Sequence, residues 1–368
     1  MKKLFIVLLF TIQNFVIFTQ EQTDKPEKKT FQTSFIYPIG TDGVNSKDYS
    51  YELSFNVLAG YTGGLDGFEL GGIANGVLGD VNGFQLAGIA NMVKGKIDGL
   101  QVAGFANITS NKANALQIGG FANLHTSKFE GLQLSGFGNI IGGKAEGLQI
   151  AGFGNIVGSK MEGIQLAGFG NVATNLEGIQ ISGFLNIAEK LEGVQLGVLN
   201  ICDSIEGIPI GVLSIAKNGY RTADSWASLT LHTNMAYKIG VEKFYNIFSF
   251  GVNYVSGMNW GLGYGIGTQF ILNEKSRVFI EVIDYDMNQS ADWWNDYVNL
   301  YHVRFNFSNI VDQNIRVYFG PTYNLLVSER NTKSLRIADD ITPYSFFNRN
   351  SANYNVRMWI GINAGILF

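Results

Sequence analysis

The chain has 368 residues, of which 46% are hydrophobic and 15% charged, and carries a net charge of −4 at pH 7. That balance excludes a basic nucleic-acid surface, and its 46 glycines against 5 prolines, with so many apolar residues, exclude a disordered linker. The single cysteine, Cys202, excludes an internal disulfide and a thiolate metal cluster, and its place in a row of small apolar residues reads as packing.

The chain opens on Lys2 and Lys3, an apolar run over 4–10 and a weaker one over 15–18. This reads as an export signal over residues 1–20, followed by a polar segment over 21–48. Thr11, Gln13 and Asn14 interrupt the run well short of the ~20 apolar residues that a membrane helix needs. No uninterrupted helical span follows, so a membrane location requires a β-barrel. Residues 49–61 alternate, with Tyr49, Tyr51, Leu53 and Phe55 against Ser50, Glu52, Ser54 and Asn56. They predict a first barrel strand.

Ten copies of one phrase come next, starting at Gly67, Gly83, Gly99, Ala115, Gly131, Gly147, Gly163, Gly178, Gly193 and Gly207. A short fixed period means a unit that cannot bury its apolar side alone and does so by stacking on its neighbours. Within one copy, Leu148 and Ile150 flank Gln149, then come the small pair Ala151 and Gly152, Phe153, Gly154, Asn155 and Ile156. Alternation breaks at the small pair, too soon for a membrane strand of ~9–11 residues. The copies from Gly193 and Gly207 have lost one residue of that pair, which inside a flat strand would flip all that follows. Residues 62–218 therefore predict a β-solenoid of about ten 14–16-residue coils, cornered at the glycines and at spacers such as 142–146.

Stacking places Gln101, Gln117, Gln133, Gln149 and Gln165 in one row and Asn107, Asn123, Asn139, Asn155 and Asn171 in another. Amides in register hydrogen-bond along such rows, so structural ladders are favoured over a polar ligand-binding stripe. Glu69 replaces the first Gln, Pro209 the last and Ser214 the last Asn, as expected of stack ends. His125 falls in a spacer.

From residue 222 to 368 the chain alternates segment after segment, predicting an antiparallel outer-membrane-type barrel of about eight strands, one of them contributed by 49–61. The last segment is the sharpest: Tyr354, Val356, Met358, Ile360, Ile362, Ala364, Ile366 and Phe368 share one face. Many bacterial outer-membrane barrels end on such a strand with a terminal aromatic, and this tail resembles them. That makes Phe368 the signal for barrel-insertion machinery. The loop over 284–297 is the candidate contact surface, with Asp286 and Asp292 as potential calcium ligands and Trp293 and Trp294 suited to a sugar or, preferably, to the lipid headgroup belt. His232 and His302 sit on the polar faces of strands without zinc spacing, and no G-x-S-x-G motif occurs, so neither a catalytic nor a cofactor site is assigned. The glycines at 261, 263, 265 and 267 alternate within a strand, with no following helix for a dinucleotide.

The tandem G-x-Q-x-A-G-F-x-N pattern, over roughly 54–216, resembles bacterial surface-repeat proteins of spirochaetes and Bacteroidota. That resemblance implies a cell-envelope location and brings no reaction. The expectation is a non-enzymatic outer-membrane protein in which the barrel sits in lipid and displays the solenoid in a structural or adhesive role, with its extracellular ligand or surface partner unnamed. The alternatives are a porin-like transporter whose repeats are wall strands, and an envelope hydrolase built on His232 or His302.

Overall fold

The computed structural model describes residues 26–254, 258–289, 297–312 and 315–368. The export signal and residues Asp292, Trp293 and Trp294 lie outside the described residues. The chain is all-β and divides into two compact units, up to Gly207 and from Ile208.

The first unit is a parallel β-solenoid; the repeats make about ten turns. Each coil has a longer strand, such as Ala145–Ala151, a bend at Gly152 and Phe153, and a strand that resumes at Gly154. Every coil pairs in register with the next, so Gln133 lies on Gln149 and Gln149 on Gln165. Glycine is required at the start of the phrase. Gly147 has φ +121°, and a Cβ there would stand 2.1 Å from the Gly131 carbonyl oxygen one coil earlier. The shortened copy keeps its register on both sides of the missing residue, Gln180 against Gln195 and Asn186 against Asn200. The loss is absorbed at the bend.

The expectation that stacking buries the apolar side of the repeat is corrected, because the coil is polar inside and apolar outside. Gln149 and Asn155 are buried, together with the small or apolar Ala145, Ala151 and Val157. Leu148, Ile150 and Ile156 point outward and are only half-buried, and Phe153 is exposed. The cross-section admits one thin layer of side chains, and small residues with amides that bond along the stack fill it.

One expectation for the N-terminal part is corrected. Residues 49–61 are not a barrel strand: Tyr49–Thr62 pairs in parallel with Glu27–Ile36 on one side and with Gly64–Gly71 and Ala74–Val77 on the other. The polar segment over 21–48 supplies Glu27–Ile36 and a 3-10 turn over Gly43–Asp48, and so adds to the stack. Coils that neighbour in sequence close the shortest loops, which favours this pairing over one some 300 residues away.

The second unit holds an antiparallel sheet. After Tyr220–Ser228 come Thr233–Val241, Phe244–Asn253, Asn259–Ile271, Ser276–Gln289, Val298–Asp312, Ile315–Glu329 and the last strand, Tyr354–Leu367, each paired with the one before. Tyr220–Ser228 pairs with Thr233–Val241 and also with Tyr354–Leu367, from Asp224 against Leu367 to Ser228 against Asn363. It takes the place that the sequence offered to 49–61. The helix Thr332–Ile341 is capped by Asn331, whose side chain accepts from the Ser334 N–H, and buries Ser334, Ile337, Ala338 and Ile341 against the strands.

Candidate functional site

The repeats build two hydrogen-bonded amide rows inside the solenoid. Gln165 Nε2 donates to Gln149 Oε1 at 2.8 Å, Gln149 to Gln133 at 2.9 Å and Gln133 to Gln117 at 2.8 Å. Gln117 and Gln101 continue the row at 2.7 Å each, to Gln101 and Gln85. The Asn row runs the other way: Asn107 Nδ2 donates to Asn123 Oδ1, Asn123 to Asn139, Asn139 to Asn155 and Asn155 to Asn171, each at 2.9 Å. The two rows therefore carry opposed amide dipoles. The second Asn N–H meets the carbonyl one residue before the end of the first strand of the next coil, as Asn139 does with Ile150 O at 2.8 Å. That carbonyl precedes the bend, where the ladder of the sheet is interrupted, so each Asn fastens a corner.

Both rows reach further than the repeats. Gln85 donates to Glu69 Oε2 at 2.7 Å, and Glu69 Oε1 accepts from Ser54 at 3.1 Å and Asn56 at 3.2 Å. Asn56 also donates to Asn75 Oδ1 at 3.0 Å, and Gln32 donates to Ser54 Oγ at 2.8 Å. Complete burial raises the Glu69 carboxyl to about 7, against the lowering effect of its three donors. Sequence reasoning missed Gln32, Ser54 and Asn56 because no repeat phrase surrounds them.

The outside of the coil is divided by chemistry. Phe105, Phe121, Phe137, Phe153, Phe169 and Phe184 stack along one edge, with ring centroids 4.8–4.9 Å apart over the first four steps and 5.4 Å at the last. The opposite, spacer edge carries alternating charge: Lys144 Nζ lies 2.7 Å from Glu146 and 2.9 Å from Glu162 of the next coil. His125 faces inward, and its Nε2 donates to the Lys128 carbonyl at 2.9 Å. Burial pushes that ring down to about 4, which keeps it neutral, and pushes the Cys202 thiol up to about 11.

In the second unit the charged residues at inward positions meet. Asp224 lies 2.9 Å from both Lys238 Nζ and Arg304 Nη2, and Glu281 lies 2.5 Å from Lys238 and also pairs with Arg304. Tyr318 donates to Asp224 at 2.6 Å and Tyr245 to Glu281 at 2.7 Å, while the Arg304 guanidinium stacks 3.8 Å over the Trp226 ring. All four charges are buried. The sequence signal was there, a charged residue on the inward side of each of four alternating strands, but alternation alone does not say which four meet. His302 donates through Nδ1 to Asn324 Oδ1 at 2.6 Å, and His232 Nδ1 accepts from the Tyr254 N–H at 3.1 Å and stacks on that ring. Asp286 is half-buried on the strand Ser276–Gln289. Among the described residues no group of acidic, His or Cys side chains has the geometry of a metal site, and no helix is long and apolar enough to cross a membrane. Phe368 joins the last strand to the first: its N–H donates to Ala223 O at 2.9 Å and its carbonyl accepts from the Ala223 N–H at 3.3 Å.

Comparisons with models of protein families, with curated proteins and with solved structures find no significant match.

Proposed function

We propose that this is a non-enzymatic outer-membrane protein, in which the antiparallel sheet is a closed eight-stranded barrel and the repeat solenoid is a structural module tethered to it. The observation that carries the reading is the pairing of Tyr220–Ser228 with both Thr233–Val241 and Tyr354–Leu367, which leaves none of the eight strands with a free edge. The side chains support it. Phe250, Leu262, Ile266, Phe305, Phe319 and Ile362 point outward and are exposed, whereas the ion pairs lie inside. This is the inverse of a soluble sheet and the pattern of a lipid-facing wall.

The connections orient the barrel. At one end they span 242–243, 272–275 and 313–314; at the other they span 229–232, 254–258, 290–297 and 330–353. Short turns belong to the periplasmic side. Tyr220 opens the sheet at that same end, opposite Gly240. The reading therefore places the entry of the chain into the sheet, at Tyr220, on the periplasmic side. The structural role is favoured over the adhesive one, because the amide rows bond within the stack.

A transport role is disfavoured because an eight-stranded barrel is filled by side chains, here by Arg304, Lys238, Tyr245, Tyr285 and Trp359, all buried. A hydrolase role is disfavoured because the Nδ1 partner of His302 is an amide and His232 lies against Tyr254. Deleting Phe368 removes both terminal seam bonds. Heat-modifiable gel mobility of the full chain in isolated outer membranes tests the reading: the deletion should lower the folded fraction. A parent protein recovered from the soluble periplasm, without heat-modifiable mobility, refutes it.

A further inference from the structure

The solenoid wears its hydrophobic residues outside. The corner row from Ile73 to Val198 is 42–52% exposed, with Phe105, Phe137 and Phe153 among its members. Beside it lie the half-buried rows of Leu148 and Ile150 on one face and of Ile156 on the other. Nine coils at ~4.8 Å, with about eight residues of perimeter at ~3.3 Å, make an apolar surface on the order of 1,000 Å². The largest patch on an ordinary soluble monomer is about 300–600 Å². An apolar patch of that size marks a contact surface.

We propose that the occupant is the hydrocarbon of a lipid bilayer, with the Phe edge of the solenoid immersed in one leaflet and the Lys–Glu edge in water. Three observations select lipid over protein. These rows hold Leu, Ile, Val, Phe and Met and lack Tyr, Trp and Arg, the side chains that anchor protein interfaces. From Ile73 to Phe184 the corner main-chain donors are spent within the stack: the Phe137 N–H goes to Phe121 O at 2.8 Å and the Phe153 N–H to Phe137 O at 2.9 Å, one coil away. A surface whose backbone is satisfied along the stack suits hydrocarbon, where each unmade bond costs several kcal/mol. A protein interface carries about one hydrogen bond per 100–200 Å².

Charge supplies the third argument. The ion pairs, Lys144 with Glu146 and Glu162 among them, lie on the spacer edge, and the Phe edge has none. A rod apolar along one edge and charged along the other lies in the interface as an amphipathic helix does, buried ~5–10 Å deep. This extends the membrane reading above from the barrel to the repeats, and rests on it for location only.

The test uses the full chain with Cys202→Ala, which matches the Ala188 stacked on that position, refolded into phosphatidylcholine vesicles. A fluorophore is attached at Phe137→Cys on the Phe edge, at Lys144→Cys on the spacer edge, or at Phe250→Cys on the outward face of the second unit. Phe153→Cys replaces Phe137→Cys if the latter fails to fold. Brominated acyl chains should quench the Phe-edge label at least twofold and aqueous iodide should not, with the reverse at Lys144. Iodide quenching of the Phe-edge label beside lipid quenching at Phe250 overturns the inference and leaves the barrel standing. Shielding of the Phe edge from both quenchers overturns it in favour of a protein cover. Iodide quenching at Phe250 refutes the barrel, and the Phe-edge label then decides the solenoid by itself.

Discussion

Replacing Asn139 by Leu keeps the branching and heavy-atom count of a buried side chain and deletes three hydrogen bonds. Asn139 Nδ2 donates to Ile150 O at 2.8 Å and to Asn155 Oδ1 at 2.9 Å, and its Oδ1 accepts from Asn123 Nδ2 at 2.9 Å. Asn123 keeps its bond to Leu134 O at 2.7 Å, so its loss is partial. The Asn155 oxygen and the Ile150 carbonyl lose donors in a place water does not reach. Net losses of about 1 kcal/mol per bond, with orphaned groups at the upper end of the range, sum to about 3 kcal/mol. That is roughly a 100-fold rise in the local opening constant. Hydrogen exchange of the full-length protein, read on peptides across residues 123–166, should show that acceleration. Asn175→Leu is the control, because Asn175 is exposed at a spacer; its exchange should change by less than threefold. Equal exchange in the two variants refutes the argument and means that the Asn row contributes nothing to the stack.

Glu69→Gln should stabilise the N-terminal coils in a pH-dependent way. The folded carboxyl holds its proton up to about 7, whereas the unfolded one releases it near 4.5. The folded state therefore binds the extra proton, and stability falls as pH rises from 4.5 through 7, by about 3 kcal/mol. The Gln variant should exchange more slowly than the parent at pH 8 and alike at pH 4.5; a pH-independent difference contradicts the assignment. Arg304→Met leaves Asp224 and Glu281 to share Lys238, and breaking one partner of a buried ion network costs about 3–5 kcal/mol, readable as a lower urea midpoint of the refolded protein. An unchanged midpoint would mean that water reaches the cluster. Deleting residues 131–146 removes one whole coil and brings Gly147 onto Ala115 in the register that Gly131 now holds. Membrane assembly should persist, and its loss would tie the repeats to the barrel wall.

The repeat period, its glycines and its paired amides are written in the sequence, and from them follow the coil, the stacking and the row in which each Gln lies. A one-residue loss at Gly197 could be placed at a bend because a strand has period 2 and a slip inside it would turn Leu199 inward. Alternation, however, is symmetric. It sets Gln149 opposite Leu148 and Ile150 and does not say which side is inside. Only the stacked coil decides that: its interior is one side chain thick and amides satisfy each other there at 2.7–2.9 Å. Pairing across long distances is decided the same way. Residues 49–61 and Tyr220–Ser228 alternate alike, and no local feature of either says which lies beside Tyr354–Leu367. The nearer coils took Tyr49–Thr62, since its closest partners cost the shortest loops, and left Tyr220–Ser228 to the last strand. The convergence of Asp224, Lys238, Glu281 and Arg304 follows from that same register. The sequence specifies each strand, and the tertiary structure alone decides which charges meet, because a contact between strands is a property of both chains of residues at once.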